Sequence, residues 1–327
     1  MEDNIGCKIH EVVDNGIKKL YMENNLLKVS ILTGKGSDIY EIIYKPQNMD
    51  ILLKTKEGLN PYKDRNLYEH RLTWYSELFT GGWQDVLPHR GVYEDIEITQ
   101  QIAGIAATLP WDYEIMENSQ AAIRVKCFVT LPVVPLYVEK TFCLQHDAPK
   151  LYINETIKNI GESVIKFTWT QHSAFGGEFL DENVEIGLPS CIAFKAADFS
   201  KENRQDLASY EEQVDEVTLA NGNKHSLLKV NHRNANEELF ITLKNLEQSQ
   251  VVLFNKEKQV GVRYCWDPET FPYIRYWYKN SEEIYTVAIE PSNDYFLSIK
   301  DSLAHGTYLS LQPGQEHSTW LTCEIFE

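Results

Sequence analysis

Short runs of alternating or β-branched residues recur from one end of this chain to the other, and they limit the folds open to it. LLKVSIL, DIYEIIY, AIRVKCFV, LYVEKTFCL, KLYINETI, VIKFTWT, LFITL, VVLF, IRYWY, YTVAI, YLSL and STWLTCEI carry the strand pattern, in which neighbouring side chains point to opposite faces. Between them stand turn-forming groups such as Gly34-Lys35-Gly36, Asn159-Ile160-Gly161 and Asn221-Gly222-Asn223, the punctuation that antiparallel connections need. Few windows show a helical period and no fixed-period repeat occurs, which argues against a propeller or a solenoid. No Pro/Gly/Ser-rich linker divides the chain, so the expectation is an all-β protein: one large antiparallel β-sandwich, a single domain over residues 1–327. The clearest polar excursion, Ser200 to Asn223, is expected to be a long surface connection with one helical turn.

The formal charge of −17, from 48 acidic against 31 basic residues, would repel nucleic acid and anionic membrane surfaces. MEDNIGCKIHEVV has no positively charged region leading into an apolar core, and no run of about 18 apolar residues follows anywhere. A cytoplasmic protein is therefore expected. The cysteines Cys7, Cys127, Cys143, Cys191, Cys265 and Cys323 are scattered singly, without the paired spacing of a zinc or redox site. Reduced and mostly buried thiols are the expectation, and the glycosylation sequon Asn154-Glu155-Thr156 is read as accidental.

FTGGWQDVLPHRG, Phe79 to Gly91, breaks the strand rhythm. It lacks the Lys-Ser/Thr ending of a phosphate loop and the three glycines of a dinucleotide fingerprint. In VIKFTWTQHSAFGGEFL, alternation sends Phe167, Trp169 and Gln171 one way and Thr168, Thr170 and His172 the other. His172 then ends a small, polar face beside Gly176-Gly177, where a ligand could approach closely. In YTVAIEPSND, Thr286, Ala288 and Glu290 share a face, and Pro291 is expected to end that strand. YCWDPETFPYIRYWY supplies Trp266, Asp267, Arg275 and Trp277, and AGIAATLPWDYEI supplies Trp111. Indole rings stack on the apolar face of a pyranose, and carboxylates and guanidinium groups bind its hydroxyls. An aromatic core with surface charges would use the same residues.

Taken together, these segments resemble the aldose 1-epimerase, or galactose mutarotase-like, superfamily near its hexose-phosphate epimerase branch. NNLLKVSILTGKGSDIYEIIYKPQNMDILL is similar to the family's opening hairpins, GGWQDVLPHRG to its glycine-rich loop, and AGIAATLPW to its HGxxxxxPW segment. WTQHSAF is similar to the strand of the central histidine, FPYIRYWY to the segment before the last site strand, AIEP to the strand of the catalytic glutamate, and LQPGQEHSTWLTCEIFE to the closing strand. The resemblance implies a β-supersandwich with a carbohydrate on one sheet face, and makes FTGGWQDVLPHRG a loop at the rim of that site. It implies interconversion of sugar anomers, with Glu290 as base and His172 as acid on opposite sides of the sugar. Trp83, Gln84, His89, Arg90, Trp111, Asp267, Arg275 and Trp277 would contact substrate. No metal or other cofactor is implied; the expected partner is a small-molecule carbohydrate, and the assembly a monomer or homodimer. The sequence departs from the family pattern at Ala103, where a histidine is expected, and at Thr80, where an arginine is expected. Arg71, Arg90 and Arg275 are candidates to replace that arginine. The departures leave open a carbohydrate-binding protein without turnover, and a lyase or hydrolase using Asp267 with Glu290.

Overall fold

A computed structural model describes residues 6–59, 79–89, 104–132, 134–194, 207, 211–213, 216–295 and 299–327. The expected substrate contact Arg90, its alternative Arg71 and the departure Ala103 lie outside the described residues.

The runs read from the sequence become strands. The chain opens with β1 (Lys8–Asp14), β2 (Ile17–Glu23), β3 (Leu27–Leu32), β4 (Asp38–Tyr44), the short β5 (Met49–Asp50) and β6 (Trp83–Val86). A meander follows: β7 (Asp112–Asn118), β8 (Ala122–Thr130), β9 (Leu136–Gln145) and β10 (Lys150–Asn159). Next come β11 (Ile165–Phe167), β12 (Thr170–Phe175), β13 (Val184–Gly187), β14 (Ile192–Phe194), β15 (Glu211–Gln213), β16 (Glu216–Thr218) and β17 (Lys224–Ser226). The last group is β18 (Glu237–Lys244), β19 (Gln250–Asn255), β20 (Val260–Trp266), β21 (Tyr273–Asn280), β22 (Tyr285–Ser292), β23 (Leu309–Leu311) and β24 (Glu316–Phe326), with α1 (Ile299–His305) before β23. The described part of the polar excursion holds two short strands, β15 and β16, and a turn closed by Gly222 N on Leu219 O, with no helical turn among its described residues.

Among the described residues, two large antiparallel sheets form. One runs β1-β2-β3-β4-β6-β12-β22-β21-β18-β14-β15 with β5 beside β4, and the other β13-β19-β20-β24-β10-β9-β8-β7. An apolar core fills the space between them, joining Ile42, Trp83, Phe175, Ile241, Tyr276 and Ile289 of the first sheet to Val125, Phe142, Ile153, Val262 and Leu321 of the second. The second sheet keeps one wet face, so β10 alternates Leu151, Ile153 and Ile157 inward with more exposed Tyr152, Asn154 and Lys158. The central strands of the first sheet do not. Every residue of β12 and β22 is buried, on both faces, so these strands present a second covered surface away from the core.

Buried charged groups interrupt the core. Lys140 of β9 and Glu155 of β10 stand opposite each other and point at the first sheet. There Lys140 Nζ contacts Asp85 and lies 3.4 Å from Glu155 Oε1. Gln171 Nε2 donates to Glu155 Oε2 at 2.7 Å and also to Asp85. Trp169 Nε1 donates to Asp85 Oδ1 at 2.9 Å and Trp83 Nε1 to Gln171 Oε1 at 2.7 Å. Burial pushes the Glu155 carboxyl up to about 8, the Asp85 charge adding to the rise and Lys140 opposing it. For Lys140, burial works downward, but the Asp85 and Glu155 charges outweigh it and hold the ammonium above the usual lysine value. A neighbouring buried pair, Lys35 with Asp38, has its carboxyl raised by burial to about 6.

Free thiols match the sequence expectation: Cys127, Cys143, Cys191 and Cys323 are buried, Cys7 and Cys265 half-buried. Among the described residues, no helix is long and apolar enough to cross a membrane.

Candidate active site

Antiparallel pairing sets side chains of successive strands side by side on one face. Gln84 pairs with His172, Ser173 with Ile289, which brings His172 into step with Glu290, Glu290 with Arg275, and Arg275 with Thr242. Gln84, His172, Glu290, Arg275 and Thr242 therefore form one row across β6, β12, β22, β21 and β18, on the face away from the core. His172 and Glu290 are central strand residues rather than strand ends, because β12 continues to Phe175 and β22 runs through Pro291 to Ser292. Pro291 sits where paired positions between β12 and β22 skip from Ser292 to Ile289, so its missing N–H falls at an interruption of the ladder.

His172 Nε2 lies 3.4 Å from Glu290 Oε1, with 8% and 0% of the two side chains exposed. His172 and Glu290 are thus neighbours on one wall of the row. Phe79 closes on the histidine edge-on, ring centroids 4.8 Å apart, and Trp277 lies 5.8 Å from the same ring. Beside this pair the side chains become small: Ala288, paired with Trp277, meets Ala174, which bonds to Gly82, and Leu53 packs with the two alanines, with Phe79 and Trp277 against them. Trp277 is fixed by donation from Nε1 to Glu238 at 3.1 Å. Arg275 is fully buried and held by Asp294, while its Nε donates to Ser292 at 3.3 Å. Asp294 also accepts from Ser292 and Ser302, at 2.8 and 2.9 Å. Its charge being met by Asp294, Arg275 stands as an oriented donor rather than a free cation.

The two ends of the row carry polar atoms without a hydrogen-bond partner. Gln84 is 1% exposed, yet neither Oε1 nor Nε2 has a partner, and Thr242 Oγ1 is alike. Buried polar atoms are ordinarily satisfied, so this row is shaped to receive polar groups.

Other expected contacts lie elsewhere. Trp83 and Trp111 are core residues: Trp83 packs edge-on against Tyr264, and Trp111 donates to Ala106 O at 3.0 Å. The middle of FTGGWQDVLPHRG is strand β6, which sends Trp83 and Asp85 inward and Gln84 toward the row. Gly81 and Gly82 serve packing. Their φ angles are +87° and +81°, and a Cβ on Gly81 would stand 2.1 Å from Leu53 O, so the crossing 53–55 segment demands glycine. His89 lies beyond the strand, after the cis Leu87–Pro88 bond, and lines a separate cavity of about 280 Å³ with Pro135, Lys166 and Ile299. Asp267 caps a turn at the end of β20, accepting from Glu269 N, Thr270 and Thr319. It belongs to the other sheet from Glu290, which removes the carboxylate pair a hydrolase would need. Sequence reading missed Phe79, Glu238, Thr242 and Asp294. Asp294 had a signal, since it follows Glu290 by one turn-forming stretch, Pro291-Ser292-Asn293.

A family model described as a domain of unknown function, DUF4432, matches residues 14–325. The chain belongs to the DUF4432 family. Its fold is galactose mutarotase-like. A candidate aldose 1-epimerase from Klebsiella pneumoniae is similar over 97% of this chain and 83% of its own, with 17% identity and a TM-score of 0.70. A galactose mutarotase-like protein from Clostridium acetobutylicum covers 98% of both chains at 14% identity and a TM-score of 0.66. A galactose mutarotase related enzyme from Lactobacillus acidophilus gives 14% identity, 94% and 97% coverage, and a TM-score of 0.63. Comparison with curated protein sequences returns no match. Within this DUF4432 fold, the row from Gln84 to Thr242 is the candidate site.

Proposed function

We propose that the protein interconverts the α and β anomers of a sugar, as an aldose 1-epimerase-like isomerase acting in the cytoplasm. The observation that carries this reading is the contact of His172 with Glu290 in the middle of a covered polar row. Ring opening of a hemiacetal needs a base at the O1 hydroxyl and an acid at the ring oxygen. Both oxygens are bonded to the same carbon, so adjacent catalytic groups suit the task better than opposed ones.

Glu290 takes the proton from O1 as His172 Nε2 gives one to O5. The C1–O5 bond breaks, C1=O1 forms, and the freed aldehyde rotates about C1–C2. On reclosure O5 returns its proton to His172 and O1 regains one from Glu290, leaving both groups as they began. Phe79 and Trp277 shield the pair from water, and Trp277 offers a ring face to the sugar. Six free thiols fit a reducing compartment.

Exchange between α and β anomeric protons, followed by NMR across hexoses, pentoses and sugar phosphates, tests this directly. Glu290→Gln should abolish the protein-dependent exchange while sugar binding persists, and His172→Asn should slow it by about 10² to 10⁴. Wild-type exchange at the spontaneous rate with every sugar would refute the activity. Ala103, standing where the family pattern has a histidine, favours a second reading in which the site binds a carbohydrate without turnover. Saturable binding with no exchange would select it.

A further inference from the structure

We infer that Gln84 reads the exocyclic C6 hydroxyl of the sugar and so selects free hexoses against 6-deoxy and 6-phosphorylated ones. The inference rests on the anomer-interconverting reading above. Along the row the order is Gln84, His172, Glu290, Arg275. With Glu290 at O1 and His172 at O5, the next group in the same direction along a pyranose is C5 with its C6 substituent. Gln84 is the side chain that stands there.

Its chemistry narrows the substituent. The amide has one end that only donates and one that only accepts, and both are buried without a partner. A hydroxyl donates and accepts, so a single C6 hydroxyl completes both ends, directly or through one water. A methyl group completes neither and leaves the amide desolvated. A phosphate or sulfonate accepts only, satisfying Nε2 while setting its negative charge against Oε1. The neighbouring charges do not favour an anion either: Glu290 lies beyond His172, and Asp85 is on the opposite face of the same strand. Arg275 is on the far side of Glu290 and is engaged by Asp294.

A site built to hydrogen-bond a hydroxyl rejects the analogue that lacks it, because its own polar groups are left unpaired. For one amide the expected preference is about 10-fold to 10²-fold. The experiment measures both binding, by ligand-observed NMR titration, and anomeric exchange. It uses glucose and galactose, their 6-deoxy counterparts and their 6-phosphates, with the wild-type protein and with Gln84→Leu and Gln84→Glu.

The wild type should prefer the 6-hydroxy sugar over both analogues. Gln84→Leu should bring the 6-hydroxy and 6-deoxy sugars within about twofold of each other, and Gln84→Glu, which still accepts, should retain a hydroxyl preference. Equal use of parent and 6-deoxy sugar by the wild type, or preference for the phosphate, would overturn the assignment without recourse to any variant. So would a hydroxyl preference that survives in Gln84→Leu. A Gln84-dependent preference in binding without exchange would refute the epimerase reading alone, whereas exchange indifferent to C6 would refute the Gln84 assignment alone. If none of these sugars binds, both fall.

Discussion

Trp83 and Trp277 present the same indole from opposite faces of one sheet. Trp83 is enclosed between the sheets, its Nε1 on Gln171, while Trp277 stands beside His172 with its Nε1 on Glu238. Trp83→Ala should cost about 3–5 kcal/mol of stability, seen as a lower urea midpoint, with sugar affinity of the folded fraction unchanged. Trp277→Ala should do the reverse, weakening sugar binding by about 0.5–1.5 kcal/mol in an NMR titration at little change in midpoint. The sequence could not separate the two. Where a strand is wholly or partly buried on both faces, hydrophobic alternation loses its phase, and a tryptophan in WQDV or RYWY reads the same whichever way it points. Glu290 and His172 were legible for a different reason: a titratable group among small neighbours is rare enough to notice. Their contact was not, since β12 and β22 meet from distant parts of the chain.

At the scale of elements, the sequence marked where strands occur but not where they stop. Pro291 reads as the end of a strand, yet β22 passes through it because the ladder to β12 is interrupted at that point. The resemblance puts the Gly81-Gly82 pair in a rim loop, yet it is a crossing point where Leu53 leaves no room for a Cβ on Gly81 and Ile39 none for one on Gly82. Gly81→Ala combines left-handed backbone with a collision against Leu53 O, and should destabilise the protein by about 1–3 kcal/mol or more. Urea denaturation would measure the loss. The loss of anomeric exchange should exceed what the unfolded fraction explains, because Phe79 follows the same backbone to its place on His172.

Over the whole molecule, the order of short motifs carried the fold class correctly, because a sandwich is written in repeated alternation and turns. The charged cluster in the core left a trace that was there to be read. Lys140 is in phase with Leu136, Val138, Phe142 and Leu144, and Glu155 with Leu151, Ile153 and Ile157, so each charge sits on an apolar stripe. Glu155 has a folded pKa near 8 against 4.5 for the ordinary group, so the folded state holds its proton more tightly than the unfolded state. Its stabilising contribution is complete below about pH 4.5 and fades as pH rises through 8. Glu155→Gln, which needs no proton, should therefore gain stability relative to the wild type as pH is raised from 5 to 8. Urea midpoints at the two pH values would show it, and a difference independent of pH would mean that Glu155 is ionised throughout.

Asp85 and Lys140 are 55 residues apart and come from opposite sheets. Oily faces alone tolerate many relative placements, since hydrophobic attraction has no direction. Slide these two sheets by one residue pair and an ammonium and a carboxylate are each shut away alone, at a cost of several kcal/mol. The cluster thus works as a key in a lock between the layers, and Gln84 and His172, one residue from Asp85 and Gln171 on the same two strands, are set in place when it turns.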